Sequence, residues 1–292
     1  MKNLIFFVAF VLTTCMYAQI PGQQQNTSTN LIPKVTGTVA YLGDINNDGL
    51  PDVISNGYEN IATGTYSTTV EISDGTLGQY NHDNNQFAHT ASGSVISTDI
   101  DGDGDYDVFN HGYTDSGPIA EFKFRTSSSY ITNNNFIGLE GGRAVFADFD
   151  NDGDDDLVYD GDDASGNKRL LVYEYVGGTN FTLRFDSSLG LVGGDLEVGY
   201  LDGDNYLDIF STGSSFGSSR AYMFLNNQNF DFSAITTGFT EVTQSSTPIR
   251  NIDGNPGDDI LITGTRPAGS GGLNGVADMY FNDGNGNFGS PV

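Results

Sequence analysis

From residue 36 onward, apolar residues fall in runs of four to eight separated by stretches rich in Gly, Ser, Asn and Asp. Runs of that length, with alternating polar positions and no long 3.6-residue periodicity between caps, predict strands rather than helices. One group of strands is expected at Gly37–Leu42, Gly93–Thr98, Arg143–Ala147, Leu196–Gly199 and Thr247–Arg250. A second begins with the pairs Val53-Ile54, Val108-Phe109, Leu157-Val158, Ile209-Phe210 and Ile260-Leu261, and ends near Gly57, Gly112, Gly161, Gly213 and Gly264. A third covers Tyr66–Ile72, Ile119–Phe124, Leu170–Tyr175, Ala221–Leu225 and Val276–Phe281, and a fourth carries Phe87, Phe136, Phe181, Phe230 and Phe288.

The first and second strands of each set are joined by a nine-residue stretch. Asp148-Phe149-Asp150-Asn151-Asp152-Gly153-Asp154-Asp155-Asp156 has Asp at positions 1, 3, 5 and 9 and Gly at 6. Asp99–Asp107 repeats this in full, and Asp44–Asp52 does so with Asn46 at position 3. Tyr200–Asp208 lacks the first carboxylate and has Asn205 at 6; Asn251–Asp259 has Asn at 1 and 5 and Pro256 at 6. The starts at 44, 99, 148, 200 and 251 are 55, 49, 52 and 51 residues apart, and a Gly follows every position-9 Asp by five residues. A period near 50 marks a repeat architecture. Four short antiparallel strands per repeat predict an all-β fold, a β-propeller of about five four-stranded blades. The recurring Phe and aliphatic pairs are expected to pack blade against blade.

Alternate side chains of a tight loop can converge, so positions 1, 3 and 5 offer oxygen to a hard cation, which takes 6–8 such ligands. Gly at 6 supplies the positive φ that turns the backbone. Without a cation the carboxylates repel, by about 1 kcal/mol per pair at 4 Å in water and about 4 kcal/mol at an effective dielectric near 20. An EF-hand is excluded, because position 12 holds Ser55, Asn110, Tyr159, Ser211 and Ile262 instead of Glu, and the flanks read as strands.

Net charge is −27, and 20 of the 38 acidic residues lie in the five loops. So acidic a chain is a poor partner for nucleic acid or an anionic membrane surface, where affinity comes from Lys and Arg. Residues 1–18 read as a secretory signal: Lys2, an apolar core from Leu4 to Leu12 too short to span a bilayer, and Met16-Tyr17-Ala18 before Gln19. Leu12-Thr13-Thr14 ahead of Cys15 lacks the small residue usual before a lipid-bearing Cys, and cleavage after Ala18 leaves no Cys in the mature chain. No transmembrane segment is expected in that chain. Residues 19–35 are polar and read as a linker, and 36–292 hold the repeats.

These loops, the apolar strand after each, and hairpins such as Phe281-Asn282-Asp283-Gly284-Asn285-Gly286-Asn287-Phe288 resemble the FG-GAP or VCBS-type repeat of integrin-α-like β-propellers, over roughly 36–292. The resemblance implies that each loop joins the first two strands of a blade and binds Ca2+ through side chains at 1, 3, 5 and 9 and the carbonyl at 7. Carried over, the ligands are Asp44, Asn46, Asp48, Asp52 and the Leu50 carbonyl; Asp99, Asp101, Asp103, Asp107 and the Asp105 carbonyl; and Asp148, Asp150, Asp152, Asp156 and the Asp154 carbonyl. A weaker site keeps Asp202, Asp204 and Asp208, and Pro256 argues against a fifth. Rings of this family typically have seven blades, so the five repeats either close by themselves or form part of a larger ring.

The function expected from this pattern is a secreted, calcium-binding propeller that serves as a binding or adhesion module for an extracellular protein or glycan. The alternatives are a secreted polysaccharide lyase or glycosidase on the same scaffold, or a structural module of a larger surface protein. For catalysis, Glu71, Glu140 and Glu174 are available but nothing selects them, and His82, His89 and His111 share no repeat position. At His111, before Gly112, a turn role is expected.

Overall fold

A computed structural model describes residues 40–46, 48–75, 80–82, 87–126, 129–267 and 272–292. The expected leader, the linker and Cys15 lie outside these residues, as do the side chains of 40–42 and 80–82. Among the described residues, five four-stranded antiparallel sheets follow one another along the sequence. Sheet 1 holds β1 (Ala40–Gly43), β2 (Asp52–Asn60), β3 (Thr65–Ser73) and β4 (Tyr80–His82). Sheet 2 holds β5 (Val95–Thr98), β6 (Asp107–Thr114), β7 (Gly117–Thr126) and β8 (Ser129–Asn133). Sheet 3 holds β9 (Glu140–Ala147), β10 (Asp156–Asp162), β11 (Lys168–Tyr175) and β12 (Phe181–Ser187). Sheet 4 holds β13 (Val192–Gly199), β14 (Asp208–Ser215), β15 (Ser218–Asn226) and β16 (Phe232–Ile235). In sheet 5 the first strand is split at Thr247-Pro248 into β17 (Thr243–Ser246) and β18 (Ile249–Arg250), both paired with β19 (Asp259–Pro267), which also pairs with β20 (Leu273–Tyr280). Val292 exchanges two backbone hydrogen bonds with Met279, so the chain end runs beside β20. No helix among the described residues is long and apolar enough to cross a membrane.

The apolar pair after each loop explains why the sheets stack. Successive strand residues face opposite ways, so the two members serve two neighbours. Leu157 and Tyr159 pack against Phe109, Phe122 and Phe124 of sheet 2, while Val158 packs against Ile209 and Phe224 of sheet 4. Phe210 in turn joins Ile260, Ile262 and Tyr280 of sheet 5, and Ile54 joins Val95 and Val108 of sheet 2. Burying each such side chain contributes about 1.5–3 kcal/mol, which a lone sheet could not collect on both faces.

The second strands end near the regularly spaced Gly, one to three residues past it. Gly112, Gly161 and Gly213 have φ of 150°, 144° and 153°, and a Cβ on Gly161 would lie 2.5 Å from the Glu140 carbonyl oxygen. The Gly therefore lets the first and second strands approach at a register shift, seen between Tyr159 and Gly161. The residue before it, His111 included, is not in a turn. His111 is buried, its Nδ1 sits 3.1 Å from the Leu139 carbonyl in the connection to sheet 3, and burial pushes its pKa down to about 4. Asn56, Asp160 and Thr212 likewise bond to Thr90, Ser211 and Ser245, each tied to the following sheet. Among the expected fourth-strand aromatics only Phe181 lies in a fourth strand. Phe87 and Phe136 sit in the connections that follow, and Phe230 in a turn before β16, because burial between sheets and not strand pairing fixes an aromatic ring.

Candidate metal centre

All five loops span the first two strands of a sheet, and one feature is common to them. The position-9 Asp is buried in each: Asp52, Asp107, Asp156, Asp208 and Asp259. One carboxylate oxygen accepts from the backbone N–H at position 2, at 2.9, 3.1, 3.0, 2.8 and 2.8 Å from Ile45, Ile100, Phe149, Leu201 and Ile252. The other accepts from an N–H at the end of the third strand, at 2.8, 2.6, 3.0, 2.8 and 2.9 Å from Ser73, Arg125, Tyr175, Asn226 and Asn282. Position 9 thus pins the loop to the sheet through two backbone donors that would otherwise be buried unpaired. Each oxygen has a second lone pair, so this role leaves room for a cation.

Positions 1, 3 and 5 shape the loop from inside. In loop 3, Asp148 accepts from the N–H groups of Asp152 and Gly153 at 3.2 and 3.1 Å. Asp150 accepts from Asp152 N–H at 3.2 Å, and Asp152 from Asp154 N–H at 3.1 Å. Loop 2 repeats the pattern through Asp99, Asp101 and Asp103, and loop 1 through Asp44, Asn46 and Asp48. Gly49, Gly104 and Gly153 at position 6 take positive φ of 86°, 95° and 101°. Position 4 is left-handed as well, at Gly102 (φ 71°), Asn151 (62°), Gly203 (85°) and Gly254 (82°). The run of Asn or Gly at position 4 was legible in the sequence and is what these turns require.

The result is two acidic clusters. Asp99, Asp101 and Asp103 each bring a carboxylate oxygen within 4.8 Å of the others, and so do Asp148, Asp150 and Asp156. One oxygen of Asp99 and one of Asp154 are buried with no hydrogen-bond partner. Burial, and next the charge of Asp103, raises the Asp101 pKa; burial and then Asp152 raise that of Asp150 and push Asp154 up to about 6. Burial drives Asp107 to about 7 and Asp156 to about 8, outweighing their N–H bonds. The structure therefore concentrates hard oxygen donors whose charge is poorly compensated by the protein itself, which fits a divalent cation.

Loops 4 and 5 keep the frame and lose the cluster. Tyr200 at position 1 is exposed, Asp202 and Asp204 make only the local turn bonds, and Asn205 is not left-handed. Burial still pushes Asp208 to about 7. In loop 5 the positive φ moves from position 6, where Pro256 stands, to Gly257 (89°). Among the described residues neither loop gathers three acidic ligands.

The loops also touch each other, through residues that spacing did not reveal. Thr98 donates to Asp155 at 2.9 Å, and Asn151 to the Asn205 carbonyl at 3.1 Å. Tyr200 N–H donates to Asp258 at 3.0 Å. Asn226 and Asn282 reach back to the carbonyls of Phe149 and Leu201 in the preceding sheet, at 2.8 and 2.9 Å. The position-8 acids and these Asn were visible only as unremarkable polar residues, because their partners lie 54 to 81 residues away. A cleft of about 670 Å³ opens between loops 2 and 3. Among the candidate catalytic carboxylates, Glu71 lies in sheet 1 and Glu140 and Glu174 in different strands of sheet 3, where Glu174 pairs with Arg184 at 3.6 Å. Compared with known proteins, the chain matches no family model and no curated protein.

Proposed function

We propose that the chain is a secreted, calcium-braced β-propeller that acts as a binding or adhesion module for an extracellular protein or glycan. The observation that carries the metal reading is the loop 2 cluster, where three converging carboxylates include a buried Asp99 oxygen with no partner. Asp101, Asp103, Asp107 and the Asp105 carbonyl would complete that site, and Asp148, Asp150, Asp152, Asp156 and the Asp154 carbonyl the next. Asp44, Asn46, Asp48, Asp52 and the Leu50 carbonyl would form a third with one charge fewer. Asp202, Asp204 and Asp208 would bind more weakly. A bound ion neutralises the clustered charge and locks each loop between its strands.

The ring is supported by the way each sheet packs on the next in chain order. The outward faces of sheets 1 and 5 carry the half-buried Val53 and Leu261, where a closed ring or a further sheet would add cover. Extracellular modules work with Kd values of about 10⁻⁴–10⁻³ M because calcium is abundant there.

Calorimetric titration of residues 19–292 with calcium is expected to give a stoichiometry near three, with magnesium binding more weakly because it demands tighter octahedral geometry. No calcium heat up to millimolar concentration would overturn the metal reading.

A further inference from the structure

One row of cross-strand partners in sheet 3 consists of ionisable groups. Asp162 of β10 lies opposite Glu140 of β9 on one side and Lys168 of β11 on the other. Directly paired residues point to the same face of a sheet, so the three side chains stand side by side. Asp162 follows the regularly spaced Gly of its repeat. In the other sheets that place is taken by Tyr58, Tyr113, Ser214 and Thr265, which carry no charge at neutral pH. The row is therefore a feature of sheet 3 and not of the repeat.

We infer that Lys168 and Asp162 condense to an intramolecular amide, an isopeptide cross-link between β10 and β11. Lys168 Nζ stands 2.7 Å from Asp162 Oδ2 and 2.5 Å from Oδ1, and Oδ1 is buried. A nitrogen that reaches both oxygens sits beside the carboxyl carbon, as a near-attack arrangement requires. The turn between the two residues is fixed, since Asp163 accepts from the N–H groups of Ser165 and Asn167 at 2.8 and 3.0 Å.

The pair is also shielded. The Lys168 side chain is 7% exposed, and the ring of Phe216, from the β14–β15 hairpin, lies over Nζ at 5.5 Å to the centroid. Phe216 is itself 78% exposed and left-handed (φ 48°), in a two-residue turn whose first position favours Asn. Covering the amine gives a Phe a reason to stand there. Two carboxylates share this one ammonium. Burial, and next the charge of Asp162, raises the Glu140 pKa, while Lys168 lowers it. Condensation would remove an ion pair from this partly buried row, and replacing such a pair by neutral groups is often stabilising.

The step balances without an oxidant or reductant. The Lys168 ammonium gives one proton to the Asp162 carboxylate, leaving an amine and a carboxylic acid. The amine lone pair attacks Cγ, the N–Cγ bond forms and a Cγ–O bond breaks. Glu140 carries the second nitrogen proton to the departing hydroxyl, which leaves as water, and Glu140 ends as it began.

The test is the intact mass of residues 19–292, measured on the unfolded chain and so independent of the calcium and binding readings. The expected mass is one water below that of the sequence. Trypsin should leave Lys168 uncut and release residues 144–169 as a single peptide that lacks the water. Lys168→Arg and Asp162→Ala should each show their full sequence mass, and Glu140→Gln should leave most of the chain unlinked. The link closes only the short hairpin 162–168, so it adds little to the melting temperature, and mass is the decisive readout. A wild-type chain at its full sequence mass would overturn the inference. So would a missing water that persists in Lys168→Arg, which would mark a succinimide at an Asp-Gly step such as Asp152-Gly153. Complete linkage in Glu140→Gln would refute the proton-carrying role of Glu140 alone.

Discussion

Loop 3 (Asp148–Asp156) and loop 4 (Tyr200–Asp208) are neighbours, joined by Asn151 and the Asn205 carbonyl at 3.1 Å. Both hang from a buried Asp at position 9 that accepts two backbone N–H groups. Only loop 3 gathers three carboxylates. Each loop also accepts from an Asn of the next sheet, Asn226 at the Phe149 carbonyl and Asn282 at the Leu201 carbonyl, and loop 4 is in addition approached at Gly203 and Asp202 by the hairpin around Gly284 and Gly286. The motif therefore has two parts, which share Asp156 in loop 3. Position 9 pins each loop to its sheet, and positions 1 and 3 of loop 3 add the carboxylates whose charge the proposed ion would neutralise.

The largest effects should come from the shared part. Asp156→Ala and Asp208→Ala each leave two N–H groups without an acceptor, at about 1–3 kcal/mol apiece. Urea denaturation is expected to show similar losses for both in EDTA, with a further loss for Asp156→Ala in calcium because Asp156 is also a ligand of the proposed ion. A much smaller loss for Asp208→Ala in EDTA would mean that the two loops do not share one frame.

Next in size is Asp150→Ala, which removes a ligand of the proposed loop 3 ion while leaving the position-9 frame. It should cost about 1–2 kcal/mol in millimolar calcium, the linkage expected when ligand exceeds Kd by about ten-fold or more. In EDTA it should cost nothing, since it relieves repulsion from Asp152.

The pH dependence sharpens the same division. Burial raises Asp107, Asp156 and Asp208 to about 7, 8 and 7. A raised carboxyl favours the protonated folded state, so its contribution is full below about pH 4 and is lost as pH rises through 7–8. Metal-free protein should therefore melt at a lower temperature at pH 8 than at pH 5. Calcium must displace those protons, so its stabilising effect should grow over the same interval. The smallest effect is expected for Asp202→Ala, below about 0.5 kcal/mol with or without calcium, because it lies in the loop without a cluster. Thermal melts of the two forms across pH, and of Asp202→Ala beside Asp150→Ala, check both points.

Much of the fold could be read from the chain. The 50-residue period, the loops and the third strands lie where spacing and alternation put them, because these are local signals. The dual acceptor role of Asp156 was hidden, since one donor, Tyr175, lies 19 residues away on another strand. The regularly spaced Gly was visible, but its reason was not: it depends on how closely Glu140 passes Gly161. Phe87 and Phe136 misled the strand assignment because an aromatic serves the space between sheets equally well from a connection. At the candidate metal centre the ligand pattern was plain, whereas Asp155 and Asp258 reach other repeats and carry no local mark.

The most direct test of the account is the thermal melt of residues 19–292 in EDTA and in millimolar calcium. A higher melting temperature in calcium, with the increment reduced in Asp150→Ala and unchanged in Asp202→Ala, is the predicted result. A folded chain whose melting temperature ignores calcium would reduce all five loops to acidic turns held by their position-9 Asp alone.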